Sequence, residues 1–109
     1  MPETVLLRIF VAEGQRHHGD LLFEWILERA KALGIPGGSA FRAISGYGRH
    51  GTLAQEGFFE IAVNLPIQVE FIASMEQAQQ LLNLLRAEGL SLPYATSVVQ
   101  FGFTAPSQG

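Results

Sequence analysis

Apolar side chains recur along this chain with two different periods, and the switches between them mark its elements. From Thr4 to Val11 the period is two: Val5, Leu7, Ile9 and Val11 alternate with Thr4, Leu6, Arg8 and Phe10. That is a strand, and because both of its faces are largely apolar it belongs in the middle of a sheet. The polar segment from Glu13 to Gly19, EGQRHHG, breaks the alternation and predicts a loop. From Leu21 the period lengthens. Leu22, Ile26, Ala30 and Leu33 share one helical face with Trp25 beside it, while Glu24, Glu28 and Lys31 lie elsewhere. Asp20 is placed to cap the start, Gly34 to end the helix and Pro36 to bar its continuation, so the spacing predicts a helix over residues 20–33.

Period two returns from Ser39 to Tyr47, with Phe41, Ala43, Ser45 and Tyr47 on one face and Ala40, Arg42, Ile44 and Gly46 on the other. The polar run RHGTLAQEG has no period and reads as a loop. Phe58 to Ile72 is the clearest strand, with Ile61, Val63, Leu65, Ile67, Val69 and Phe71 alternating; Pro66 cannot donate to a ladder and marks an edge, a bulge or a break. Ser74 with Gln77 three residues on forms a capping box. It opens a second helix whose apolar face is Met75, Ala78, Leu82 and Leu85, with Leu81 alongside; Gly89 ends it. Leu90 to Pro93 connects to a last strand, Ala95 to Phe103, with Val99, Phe101 and Phe103 on one face.

The order β-α-β-β-α-β gives an α+β fold: a ferredoxin-like sandwich with a four-stranded antiparallel sheet and two helices on one face. The right-handed crossover rule makes the first and third strands central neighbours. One domain is expected over residues 1–109, ordered from about 4 to 103, with a flexible tail over 104–109. The strands' second apolar face has no helix to cover it, so other copies of the chain are expected to do so.

Composition narrows the function classes. At 48% hydrophobic and 16% charged, 109 residues suffice for a packed core. A net charge of −3, with no run of Lys or Arg, excludes general nucleic-acid binding. The absence of cysteine excludes disulfides and thiolate metal sites. No stretch reaches the roughly 18 apolar residues that span a bilayer, and the first residues, carrying Glu3 and Arg8, lack the signal-peptide pattern. The expectation is a cytoplasmic protein without membrane insertion.

Candidate chemistry concentrates in GYGRHG, residues 46–51. Gly46, Gly48 and Gly51 free the backbone to approach a ligand, Arg49 supplies a forked donor and His50 a titratable ring. Arg42, charged within a strand, calls for a partner: a carboxylate such as Glu60 or Glu70, or a ligand phosphate. His17 and His18 are adjacent in a loop and are expected to point different ways; a metal site there needs His50 or an acid to converge with them. The carboxylates are scattered and Ser39, Ser45, Ser74 and Ser91 lack a nucleophile context, so no catalytic constellation and no metal site are expected.

The run Gly34–Gly51, GIPGGSAFRAISGYGRHG, resembles the corresponding stretch of the PII nitrogen-regulatory superfamily, in which the second strand leads through Gly-Phe-Gly-Arg-Gln into a long T-loop. Gly46, Tyr47, Gly48, Arg49 and His50 stand at those positions, and Leu65, Pro66 and Val69 resemble the third strand. The chain is most similar to an uncharacterised PII-like branch of about this length, whose glycine-and-arginine run is matched by Gly34, Gly37, Arg42, Gly46, Tyr47 and Gly48; the likeness extends over residues 4–102. The resemblance implies a homotrimeric, non-enzymatic regulator. It would bind an adenine nucleotide or similar anion between subunits. The T-loop, here residues 49–57, would dock on a membrane transporter or an enzyme. Carried over by position, Ser39 approaches the base, and Gly48, Arg49 and His50 approach the phosphates. PII proteins also carry a lysine-bearing loop between the second helix and the last strand. This chain has no Lys or Arg after Arg86, which favours a mono- or diphosphate or a cyclic nucleotide over ATP. Two other readings compete. One is a metal-tolerance type of trimeric module using the three histidines. The other is a small enzyme on a ferredoxin-like barrel, with Trp25 and His50 as its candidates.

Overall fold

A computed structural model describes residues 3–47 and 66–106. Its elements are β1 (Thr4–Ala12), β2 (Arg16–His17), β3 (Asp20–Leu21), α1 (Leu22–Ala32), β4 (Gly37–Arg42), β5 (Pro66–Ser74), α2 (Met75–Ala87) and β6 (Tyr94–Val98). Four strands form one antiparallel sheet in the order β4-β5-β1-β6, and β2 with β3 makes a separate small hairpin. The first and third long strands are the inner pair, as right-handed crossovers require. This is the ferredoxin-like α+β architecture.

The core follows from the register of that inner pair. Val5 lies opposite Ala73, Leu7 opposite Phe71, Ile9 opposite Val69 and Val11 opposite Ile67, and all of these are buried. Onto this floor α1 lowers Leu22, Ile26 and Ala30, and α2 lowers Ala78, Leu81, Leu82 and Leu85. Burying each large aliphatic side chain contributes about 1.5–3 kcal/mol. No polar or charged side chain is buried among the described residues. The expected capping box is present: Ser74 Oγ accepts from the Gln77 N–H at 3.0 Å, and Gln77 Oε1 accepts from the Ser74 N–H at 3.1 Å. Gly34 and Gly89 follow the two helices at φ +86° and +75°, the left-handed region where a Cβ is costly.

Several boundaries differ from expectation, each for a local reason. The loop expected over 13–19 contains β2, and α1 begins at Leu22, because Asp20 pairs with His17 in the hairpin; Leu21 is the N-cap and no side chain caps it. The second strand was expected from Ser39 to Tyr47 but runs from Gly37 to Arg42. Its glycines join the ladder opposite Ile72 and Phe71, and the chain bends after Ala43 donates to the Pro66 carbonyl at 2.9 Å. Pro66 itself opens β5 opposite Ala12, a place where its missing N–H is tolerated. The last strand stops at Val98 rather than Phe103, because its one neighbour among the described residues, β1, begins at Thr4; the bond from Val99 N–H to the Thr4 carbonyl, 3.0 Å, is the final rung. Met75 lies off the buried face, 41% exposed. The strand expected over 58–65, the T-loop over 49–57 and the end of the tail lie outside the described residues.

The sheet's other face carries Leu6, Arg8 and Phe10 of β1, Gln68, Glu70 and Ile72 of β5, and Ser39 and Phe41 of β4. Neither helix covers it. Phe41 remains 51% exposed.

Candidate functional site

A cleft of about 640 Å³ opens where this uncovered face meets the segment after β6. Gly37, Gly38 and Ser39 form one wall, Glu70, Ile72 and Ser74 the floor, and Phe101 with Phe103 the far side. The glycines let β4 lie close to β5. The end of the β1–β6 ladder at Val98 releases the chain so that the two phenylalanines pack on each other, ring centroids 5.7 Å apart and edge to face. They are 59% and 70% exposed, an apolar surface of the kind on which a flat ring stacks. The charge inside is already matched: Glu70 Oε1 accepts from Arg8 Nε at 3.1 Å and from Gln68 Nε2 at 3.2 Å. The cleft therefore offers hydroxyls, backbone and aromatic surface, and no unpaired cation among the described residues.

The expected site residues divide. Ser39 lines the cleft. Arg42 lies three positions further along β4, about 10 Å at a strand's rise, and its side chain is 60% exposed. It pairs with Glu13, from the turn after β1, rather than with Glu70, which belongs to Arg8; Glu60 is outside the described residues. Among the described residues, nothing lies within 4 Å of where a Cβ on Gly46 would be. Gly48, Arg49 and His50 lie outside the described residues, so the structure brings only Ser39 and Arg42 onto one strand.

At the turn before α1 the histidines do what adjacent residues of an extended loop do not. His18 (φ +52°) and Gly19 (φ +87°) form the two-residue turn of the β2–β3 hairpin, and the positive φ at His18 breaks the alternation of side chains. Both rings land together, centroids 4.0 Å apart. His17 is half-buried with its ring edge-on to Trp25 at 4.6 Å; the Arg29 guanidinium lies 5.8 Å from the Trp25 ring on the same helix. The acid that converges with them is Glu88, the C-cap of α2. Its Oε1 lies 2.8 Å from His17 Nε2 and 2.9 Å from His18 Nε2. The hydrogen bonds from His17 and then His18 hold the Glu88 carboxyl below its usual pKa. Two features are invisible to periodicity: Glu88, 71 residues from His17, and the aromatic wall, which the alternation places on a strand. The His18-Gly19 dipeptide, as a two-residue hairpin turn, was the available signal for the first.

Residues 4–90 match the family model DUF190, described as "Uncharacterized ACR". A UPF0166 protein of Aquifex aeolicus (strain VF5) is 35% identical over 83 residues, covering 76% of this chain and 79% of that protein. A UPF0166 protein of Methanocaldococcus jannaschii is 32% identical over 82 residues, covering 75% of each. Among solved structures, this fold is similar to CPII, a nitrogen regulatory PII-like protein from Thiomonas intermedia K12 bound to ADP, AMP and bicarbonate. The TM-score is 0.60 and the identity 19%, over 94% of this chain and 96% of that one; at that identity the likeness is one of fold.

Proposed function

Because this chain belongs to the DUF190 (UPF0166) family and has the PII-like fold, we propose that it is a non-enzymatic PII-like regulator whose effector is an adenine nucleotide or a similar small anion. The supporting observation is the Ser39 cleft. It has an exposed aromatic wall for a base, hydroxyls and glycine backbone to orient it, and a place on the sheet face that other copies of the chain would complete. The fold neighbour CPII carries ADP, AMP and bicarbonate in its own structure. Trimer formation puts the cleft between subunits and leaves Gly48, Arg49 and His50 to meet the phosphates. With no Lys or Arg after Arg86, a mono- or diphosphate or a cyclic nucleotide suits the site better than ATP, which needs more charge-assisted bonds than two arginines provide. The loop over 49–57 then engages a partner protein, a transporter or an enzyme.

Calorimetry with AMP, ADP, ATP and cyclic AMP, with and without bicarbonate, tests this. Heat with at least one nucleotide, reduced by Ser39→Tyr and by Arg49→Ala, is the expected result. No heat with any nucleotide, together with unchanged protease sensitivity of the loop, sinks the nucleotide reading.

A further inference from the structure

We propose that His17, His18 and Glu88 bind one divalent transition-metal ion of the zinc class. Their donor atoms lie within 4.8 Å of one another, with both imidazole Nε2 atoms directed at the same carboxylate oxygen, 2.8 and 2.9 Å away. In the metal-free state each imidazole reaches that oxygen only through an Nε2 proton. An ion that replaces those protons finds two imidazoles and a carboxylate already gathered, the N₂O donor set that zinc accepts with its remaining position open. With metal–ligand distances near 2.0–2.1 Å, neighbouring donors of a tetrahedron stand about 3.3–3.4 Å apart, so each histidine Nε2 must move about half an ångström away from the Glu88 oxygen. The side chains of His18 and Glu88 are 66% and 35% exposed and can make that movement.

The surroundings favour a cation there. Glu88 caps the C-terminus of α2, the end of a helix where the backbone carbonyls already concentrate negative charge. Asp20 faces His17 across the hairpin. The nearby arginines are engaged elsewhere: Arg16 donates to the Gly19 carbonyl at 2.8 Å, Arg86 donates to Asn83 Oδ1 at 2.8 Å, and Arg29 lies over Trp25. Among the described residues, only the two histidines hydrogen-bond the Glu88 carboxyl. The hairpin fixes the histidine backbones, the helix end fixes Glu88, and Trp25 braces His17, so little ordering remains to oppose binding. Imidazole donors select zinc, cobalt, nickel or copper over calcium or magnesium. The bound ion clasps the β2–β3 hairpin to the end of α2, and its open position faces solvent.

The test is titration of the full chain with Zn²⁺ by calorimetry and with Co²⁺ by visible absorption, alongside His17→Ala, His18→Ala, Glu88→Gln and His50→Ala. One ion per chain is expected in the wild type and in His50→Ala, with d–d bands of a low-coordinate N/O cobalt site. Each of the three ligand variants should lose at least about tenfold in affinity. The cobalt spectrum of the wild type reads the site without any variant. Absence of those bands, retention of wild-type affinity in any ligand variant, or loss of binding in His50→Ala overturns the assignment.

Discussion

Gly38 lies under the ring of Phe71: a Cβ built on Gly38 would come within 2.4 Å of Phe71 Cε1 and 2.6 Å of Cδ1, with Leu27 Cδ2 at 3.1 Å. Phe71 is fully buried at the centre of the inner strand pair, so the ring has nowhere to retreat. The pairing of Gly38 with Phe71 across the ladder is what lets β4 begin at Gly37. Gly38→Ala is therefore expected to destabilise the fold by about 1–3 kcal/mol, the usual cost of overpacking a filled core. Urea unfolding reads it as a lowered midpoint. Gly37→Ala, where no atom of the described residues lies within 4 Å of the added carbon, is the matched control and should change the midpoint little. Equal effects at the two positions would contradict the packing account.

The capping box at α2 carries a second expectation. Ser74→Ala removes the acceptor for the Gln77 N–H and leaves that donor half-buried at the helix start. The loss should be about 1 kcal/mol. Ser74→Asp should restore most of it, since a carboxylate also accepts at that position and favours the positive end of the helix. A Ser74→Ala variant with an unchanged denaturation midpoint would show that the cap contributes nothing.

These two cases bracket what could be read before the fold was known. The capping box, both helices and the pairing of first and third strands were legible because they depend on local spacing and on chain handedness. β4 begins earlier than the alternation predicts because glycines carry no hydrophobic signal, and it ends earlier because the chain bends after Ala43 although the alternation runs on to Tyr47. Gly37 and Gly38 read as loop, yet their lack of a side chain is what seats them against Phe71. The last strand was drawn too long because Val99, Phe101 and Phe103 keep the alternation after the neighbouring strand has run out. Of the candidate ligand residues, Ser39 lines a cleft and Arg42 lies further along the same strand. The cluster at His17 and His18 was missed because it depends on one left-handed residue and on Glu88, both set by tertiary structure.

Acid stability should report on Glu88. Its carboxyl titrates below the usual value of 4.5 in the folded chain, chiefly through the hydrogen bond from His17. A group with a depressed folded pKa stabilises the fold above its unfolded pKa, and that contribution is lost as pH falls through the folded one. Stability of the wild type should therefore drop more steeply below pH 4.5 than that of Glu88→Gln, measured by thermal unfolding in metal-free buffer across the acid range. The carboxyl is exposed, so the difference is a change of slope rather than a collapse. Coincident acid limbs in the two proteins would show that the histidine contacts do not hold Glu88 in solution.

The proposed assembly can be tested at the open face of the sheet. Leu6 and Phe10 on β1 and Ile72 on β5 are only partly covered in the single chain, and Phe41 on β4 is half-exposed. The paired charges of Arg8 and Glu70 sit among them, 3.1 Å apart, where each neutralises the other and neither opposes close approach of an apolar surface. If three copies bring these faces together, removing one large apolar side chain from water contributes about 1.5–3 kcal/mol per subunit, and a buried unpaired carboxylate reverses the sign. Leu6→Asp should then convert a trimer to monomers in sedimentation equilibrium while the far-ultraviolet circular dichroism is retained, because Leu6 points away from the core formed by Val5 and Leu7. Phe41→Ser, at the rim, should weaken the trimer without abolishing it. Nucleotide binding should fall in step with dissociation if the Ser39 cleft is completed by a second copy, and should persist in the monomer if it is not. A wild-type chain that sediments as a monomer, or a Leu6→Asp chain that remains trimeric, would rule out this face as the shared surface.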